Sequence, residues 1–167
     1  MKAYNNLNPV WFAVTLMCVL GGCSTVSPNS QGSAFTQNVP SRLSPGQAND
    51  VTLYAIGLVG TPYRYGGNTP AAGFDCSGLI GHVYQTRAGV APPRTVARLQ
   101  AWGQPIGSPN LRSGDLVLFA QSGSATHAGI YVGEGRFVHA PSTGGVVRLD
   151  SLSSKYWAAQ NVAFRRP

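Results

Sequence analysis

The stretch Thr126-His-Ala-Gly-Ile-Tyr-Val-Gly-Glu-Gly-Arg-Phe-Val-His-Ala-Pro141 holds two short apolar runs joined by Gly133-Glu134-Gly135. Glycines flanking one polar residue supply the positive φ that a hairpin turn demands. Ala128–Val132 and Arg136–Ala140 are therefore read as paired antiparallel strands. A three-residue loop centred on Glu134 pairs position 127 with 141, which makes His139 the diagonal same-face neighbour of His127. Diagonal neighbours sit about 7–8 Å apart at Cα, close enough for two imidazoles to meet. A register shifted by one residue sends the two histidines to opposite faces. The chemistry of the chain hangs on that parity.

Working outward, Asp115–Ala120 is a continuous apolar run that suits a buried strand, and Gly145–Leu149 and Asn161–Arg165 are further strand candidates. The chain before them reads as helix. Asp50–Val59 carries Val51, Tyr54, Ala55 and Leu58 at helical spacing behind an Asp50 cap. Cys76–Arg87 is closed by Gly89 and the Pro92-Pro93 pair, and Thr95–Trp102 forms a shorter third helix. Helices first and strands afterwards predict an α+β domain. Its N-terminal helices pack on a mainly antiparallel sheet of about 5–6 strands.

The amino-terminal end has a different character. Lys2 precedes the apolar run Trp11–Leu20, which is too short to span a bilayer but suits the core of a signal peptide. Leu20-Gly-Gly-Cys23 resembles the lipobox of bacterial lipoproteins. That resemblance implies loss of residues 1–22, lipidation of Cys23 and a membrane anchor. With Ser24 rather than an aspartate next, it implies an outer-membrane, periplasm-facing location in the cell envelope. Residues 23–49 are rich in Ser, Pro, Asn, Gln and Gly and predict a flexible tether, leaving 50–167 as the folded domain. The formal charge is +7, yet the ten arginines are scattered and form no stripe interleaved with aromatics. That argues against nucleic acid and suits attraction to anionic envelope polymers.

Processing leaves Cys76 as the one thiol of the three cysteines, so no intramolecular disulfide is expected. A lone thiol in an oxidising compartment is a liability unless it is buried or used. Cys76 lies in Phe74-Asp-Cys-Ser-Gly-Leu79 at a helix start, where free N–H groups and the helix dipole favour thiolate. With His127 and His139 it supplies a nucleophile, a base and an orienting group. A metal centre built from the same three residues lacks a usual local zinc spacing, so neither metal nor other cofactor is expected. His82, Trp102 and Trp157 read as packing residues.

Six segments then line up in order: Gly60–Gly67, Asp75–Gly78, Pro93–Thr95, Arg112–Phe119, His127–Gly133 and Phe137–Ala140. On these the chain resembles the NlpC-type family of papain-like cell-wall cysteine peptidases. The resemblance implies a papain-like fold with Cys76 as nucleophile, His127 as general base and His139 as the third polar residue. It also implies that Tyr63, rather than Tyr65, stabilises the oxyanion together with the Cys76 N–H. The implied substrates are peptidoglycan stem peptides containing D-amino acids. They are cut between γ-D-glutamate and the diamino acid or at the cross-link. Ser77, Arg94 and Thr95 are candidate substrate contacts, and a threonine at 95 favours polymeric wall over released fragments. A monomer is expected. The competing reading is a catalytically silent wall-binding lipoprotein of the same fold.

Overall fold

The computed structural model describes residues 40–167, so the signal segment, Cys23 and most of the tether lie outside the described residues. Helix α1 (Pro45–Gly57) starts from Ser44, whose hydroxyl accepts the Gln47 N–H while Gln47 Oε1 accepts the Ser44 N–H at 2.9 Å. This capping box, with proline at the first helical position, replaces the Asp50 cap expected from the sequence. Residues 45–49, read as tether, belong to the helix. The same Ser and Pro that suggested disorder are its start signal.

Two-residue strands β1 (Asn68–Thr69) and β2 (Gly73–Phe74) form a small hairpin ahead of α2 (Cys76–Ala88). Asp75 caps α2, and Gly89 ends it in the left-handed conformation at φ 66°. After the short α3 (Val96–Leu99) come β3 (Gln104–Ile106), β4 (Leu116–Gln121), β5 (Ser124–Gly133), β6 (Arg136–His139), β7 (Arg148–Ser151), α4 (Lys155–Ala158) and β8 (Asn161–Arg166). The last six strands make one sheet in the order β3-β8-β4-β5-β6-β7, antiparallel throughout. The α+β architecture expected from the element order is the one observed.

Alternation along the strands gives the sheet two apolar faces. Leu116, Leu118, Ala128, Ile130 and Val138 meet Val51, Ala55, Leu79, Ile80 and Val83 of the helices. The opposite face gathers Val117, Phe119, Phe137 and Phe164 around Trp157 from α4. At one end Arg166 grips Asp115 through Nε at 3.0 Å and Nη2 at 2.9 Å, and both residues are buried. That bidentate pair ties β8 to the start of β4.

The β5–β6 turn has two residues, Glu134 and Gly135, both at positive φ, rather than the three-residue loop expected. Arg136 pairs with Gly133, but Phe137 pairs with Tyr131, so Val132 is an extra residue in a bulge. A two-residue turn without the bulge would put His139 opposite Ile130, on the face away from His127. The bulge restores the register Ile130↔Val138 and returns both histidines to one face.

Candidate active site

Cys76 is the first residue of α2, and its position is fixed by contacts too close for any side chain but hydrogen. A Cβ on Gly78 would lie 1.9 Å from the Gly67 carbonyl oxygen, and one on Gly67 would lie 2.4 Å from the Gly73 oxygen. The loop before β1 is thereby pressed against the first turn of α2. Asp75 stitches the two together. Its carboxylate accepts the Gly78 N–H at 2.6 Å and the Gly66 N–H at 2.9 Å, and the Asp75 N–H donates to Gly67 O at 3.1 Å. As the first helical residue, Cys76 keeps its own N–H free of any intrahelical acceptor.

The half-buried thiol lies near the backbone N–H groups of Ser77, Ala128 and Cys76 itself, which places it against β5 one residue beyond His127. Burial, with the neighbouring Asp75 charge, nevertheless pushes the Cys76 pKa above its ordinary value, and the N–H groups offset this only in part. The sequence expectation of a thiolate favoured at a helix start is corrected here, because desolvation outweighs the dipole.

His127 Nε2 lies 2.8 Å from His139 Nδ1, the contact that the hairpin parity predicted. His139 is fully buried. Its other nitrogen, Nε2, lies 3.0 Å from Asp150 Oδ2 on β7. Trp157 stands edge-on to the His139 ring at 5.2 Å and stacks on His127 at 5.6 Å, and its Nε1–H donates to Asp150 at 2.7 Å. Burial first, with the other histidine and Arg148 adding, pushes His127 down to about 3. Burial also carries His139 down to about 4 against the opposing pull of Asp150. At neutral pH the ground state is a thiol beside two neutral imidazoles.

Tyr63 is half-buried against the helical core, and Tyr65 is 88% exposed. Burial raises the Tyr63 pKa, followed by Cys76 and Asp75, so its hydroxyl is a protonated donor in the field of the thiol. The three candidate substrate contacts separate. Ser77 is buried and its hydroxyl lies 2.9 Å from Asp75 Oδ1 and 3.0 Å from the Arg94 carbonyl, sharing its proton between them, so it braces the helix start. Thr95 is exposed but uses its hydroxyl to cap α3. Arg94 is half-exposed, 3.8 Å from Asp75.

Asp150, Arg148 and the Trp157 indole were absent from the sequence reading as site residues. A groove of about 470 Å³ opens beside His127, lined among others by Phe119, Thr126, Pro141, Arg148 and Tyr156. His82 bonds the Tyr54 hydroxyl at 3.0 Å between α1 and α2, a packing role. Among the described residues no group of three or more His, Cys, Asp or Glu side chains is arranged to hold a metal ion.

The NlpC/P60 family model matches residues 60–166, a span that holds every residue of this constellation. "Murein DD-endopeptidase MepH" of Escherichia coli (strain K12) is 41% identical over 112 residues, covering 65% of this chain and 41% of that protein. "Gamma-DL-glutamyl hydrolase" of Bacillus subtilis (strain 168) is 40% identical over 110 residues, covering 65% of this chain and 26% of that protein. The matched region thus spans less than half the length of either relative. The crystal structure of the NlpC/p60 domain of peptidoglycan hydrolase SagA superposes with a TM-score of 0.62 at 31% identity, covering 70% of this chain and 96% of that one.

Proposed function

The chain belongs to the NlpC/P60 family, and we propose that it is a peptidoglycan endopeptidase hydrolysing stem-peptide or cross-link amide bonds that involve D-amino acids. The observation that carries this reading is the unbroken polar line from His127 through His139 to Asp150, beside a thiol at a helix N-terminus.

The steps follow from the resting charge state. With Nε2 of His127 engaged by His139, Nδ1 is left to take the Cys76 proton as sulfur attacks the amide carbon. Two buried neutral groups make this transfer simultaneous with attack rather than a prior ionisation. The oxyanion is met by the Cys76 N–H and the Tyr63 hydroxyl. The His127 imidazolium then protonates the leaving amine as the C–N bond breaks, leaving a thioester on Cys76. Water, losing its proton to His127, attacks the thioester carbon. The acid product departs and the thiol is restored. Relatives named for a DD-endopeptidase and a γ-DL-glutamyl hydrolase support both bond classes as substrates. The lipobox reading of Leu20–Cys23 extends the proposal to a lipid-anchored envelope enzyme at the outer membrane, and it rests on sequence alone.

The test is digestion of defined cross-linked and uncross-linked muropeptides by the purified chain, read by mass spectrometry. New amine and acid termini are expected with the native chain and none with Cys76→Ser. Intact muropeptides, or equal cleavage by Cys76→Ser, would overturn the proposal and favour a wall-binding role.

A further inference from the structure

We infer that Asp150 is a positioning residue that locks both site histidines into the tautomers the reaction requires. The inference rests on the proposed role of His127 as base and adds what sets that role.

Asp150 lies on β7, opposite Phe137 in the β6–β7 ladder and diagonal to His139. One carboxylate oxygen, Oδ2, gathers Trp157 Nε1 at 2.7 Å, Arg148 Nη2 at 2.9 Å and Nε at 3.1 Å, and His139 Nε2 at 3.0 Å. Indole and guanidinium can only donate, and an ionised carboxylate can only accept. Burial alone would raise the carboxyl, but the Trp157 and His139 hydrogen bonds prevail and hold it below its ordinary value. Arg148 Nε also lies 3.5 Å from His139 Nε2, but the carboxylate oxygen at 3.0 Å is the nearer partner, so His139 donates from Nε2.

A neutral imidazole has one N–H, so His139 Nδ1 is bare and must accept. The group 2.8 Å away, His127 Nε2, is then the donor. That leaves the lone pair of His127 on Nδ1, where the Cys76 proton is to be received. Each assignment follows from the one before it, and the series starts at the carboxylate. When His127 becomes an imidazolium in a buried site, the Asp150 charge acts on it across His139 and favours the charged form. Arg148, half-exposed, keeps the carboxylate partnered between turnovers.

Long-range proton–nitrogen correlation spectra of 15N-labelled protein near neutral pH read the tautomers directly. Both His127 and His139 are expected with the proton on Nε2. In Asp150→Asn the amide can present either an acceptor or a donor, so His139 is expected to show a mixture with the Nδ1–H form. The kcat for muropeptide cleavage is expected to drop ~10²-fold with KM within twofold. Asp150→Glu, which keeps the charge, is expected to recover part of kcat. A native protein with His139 protonated on Nδ1 overturns the inference, and so does an Asp150→Asn protein with unchanged tautomers and kcat. The native spectrum needs no variant to fold and no turnover. An inactive native protein therefore sinks the peptidase reading while the tautomer result stands or falls separately.

Discussion

Tyr63 and Tyr65 stand two residues apart and differ in what surrounds them. Tyr63 is packed and held in the field of Cys76, while Tyr65 projects into water. Tyr63→Phe removes the hydroxyl that the proposed mechanism assigns to the oxyanion and is expected to lower kcat roughly 10²-fold, within the range for one such donor. Tyr65→Phe is expected to leave kcat within twofold. Steady-state cleavage of a defined muropeptide compares them, and equal losses would remove Tyr63 from its role. Cys76, His127 and His139 were legible in the sequence because each sits in a patterned context, a capped helix start or a glycine-turn hairpin. Asp150 was not. It lies in Leu149-Asp-Ser, and its place beside His139 comes from β6–β7 pairing that no local residue specifies. Trp157 was read as core, and it is core, yet its one polar atom serves the site.

The first turn of α2 is set by backbone contact more than by helix propensity. Alanine is the better helix former by about 1 kcal/mol, so Gly78→Ala would stabilise an isolated helix. Here the added methyl would meet the Gly67 carbonyl at 1.9 Å, and the helix start must move away from the loop that carries Tyr63. Gly78→Ala is expected to lower kcat/KM at least 10²-fold, since displacement by about 1 Å suffices for such a loss. Gly81→Ala, with nothing nearer than the Arg94 side chain at 3.9 Å, is the matched control and is expected to keep activity. Equal kinetics for the two variants would show that the clasp does not position the nucleophile. Helix α2 was readable from both ends, through Asp75 and Gly89. Strand β3 was not, because Gln104-Pro-Ile106 is an edge segment that exists through its pairing with β8. The Val132 bulge was likewise invisible, although the parity it creates is the one expected.

Across the molecule, the site is a load on stability in acid. His127 and His139 are held neutral, with folded values near 3 and 4 against an unfolded value near 6.5. In that interval the unfolded chain binds more protons, so stability is full above about pH 6.5 and declines as pH falls toward 4. Asp150, also depressed, adds a further loss below its ordinary carboxyl range. His139 alone, fully buried, contributes roughly 3 kcal/mol across the interval by the usual conversion of a pKa shift. Urea unfolding at a series of pH values is expected to show this decline, and His139→Gln is expected to flatten it. An unchanged slope in that variant would mean other groups set the acid limit. The helices-then-strands order gave the architecture in advance. The strand order did not follow from it, because pairing β8 between β3 and β4 depends on contacts far apart in sequence.

That placement of β8 has a consequence in time. A chain is synthesised from its amino-terminal end, so β3 and β4 are both available before residues 161–166 arrive to join them. Until then the edge strand β3 has no partner and Asp115 lacks the guanidinium that fixes it. The six-stranded sheet is therefore completed only when that last strand arrives.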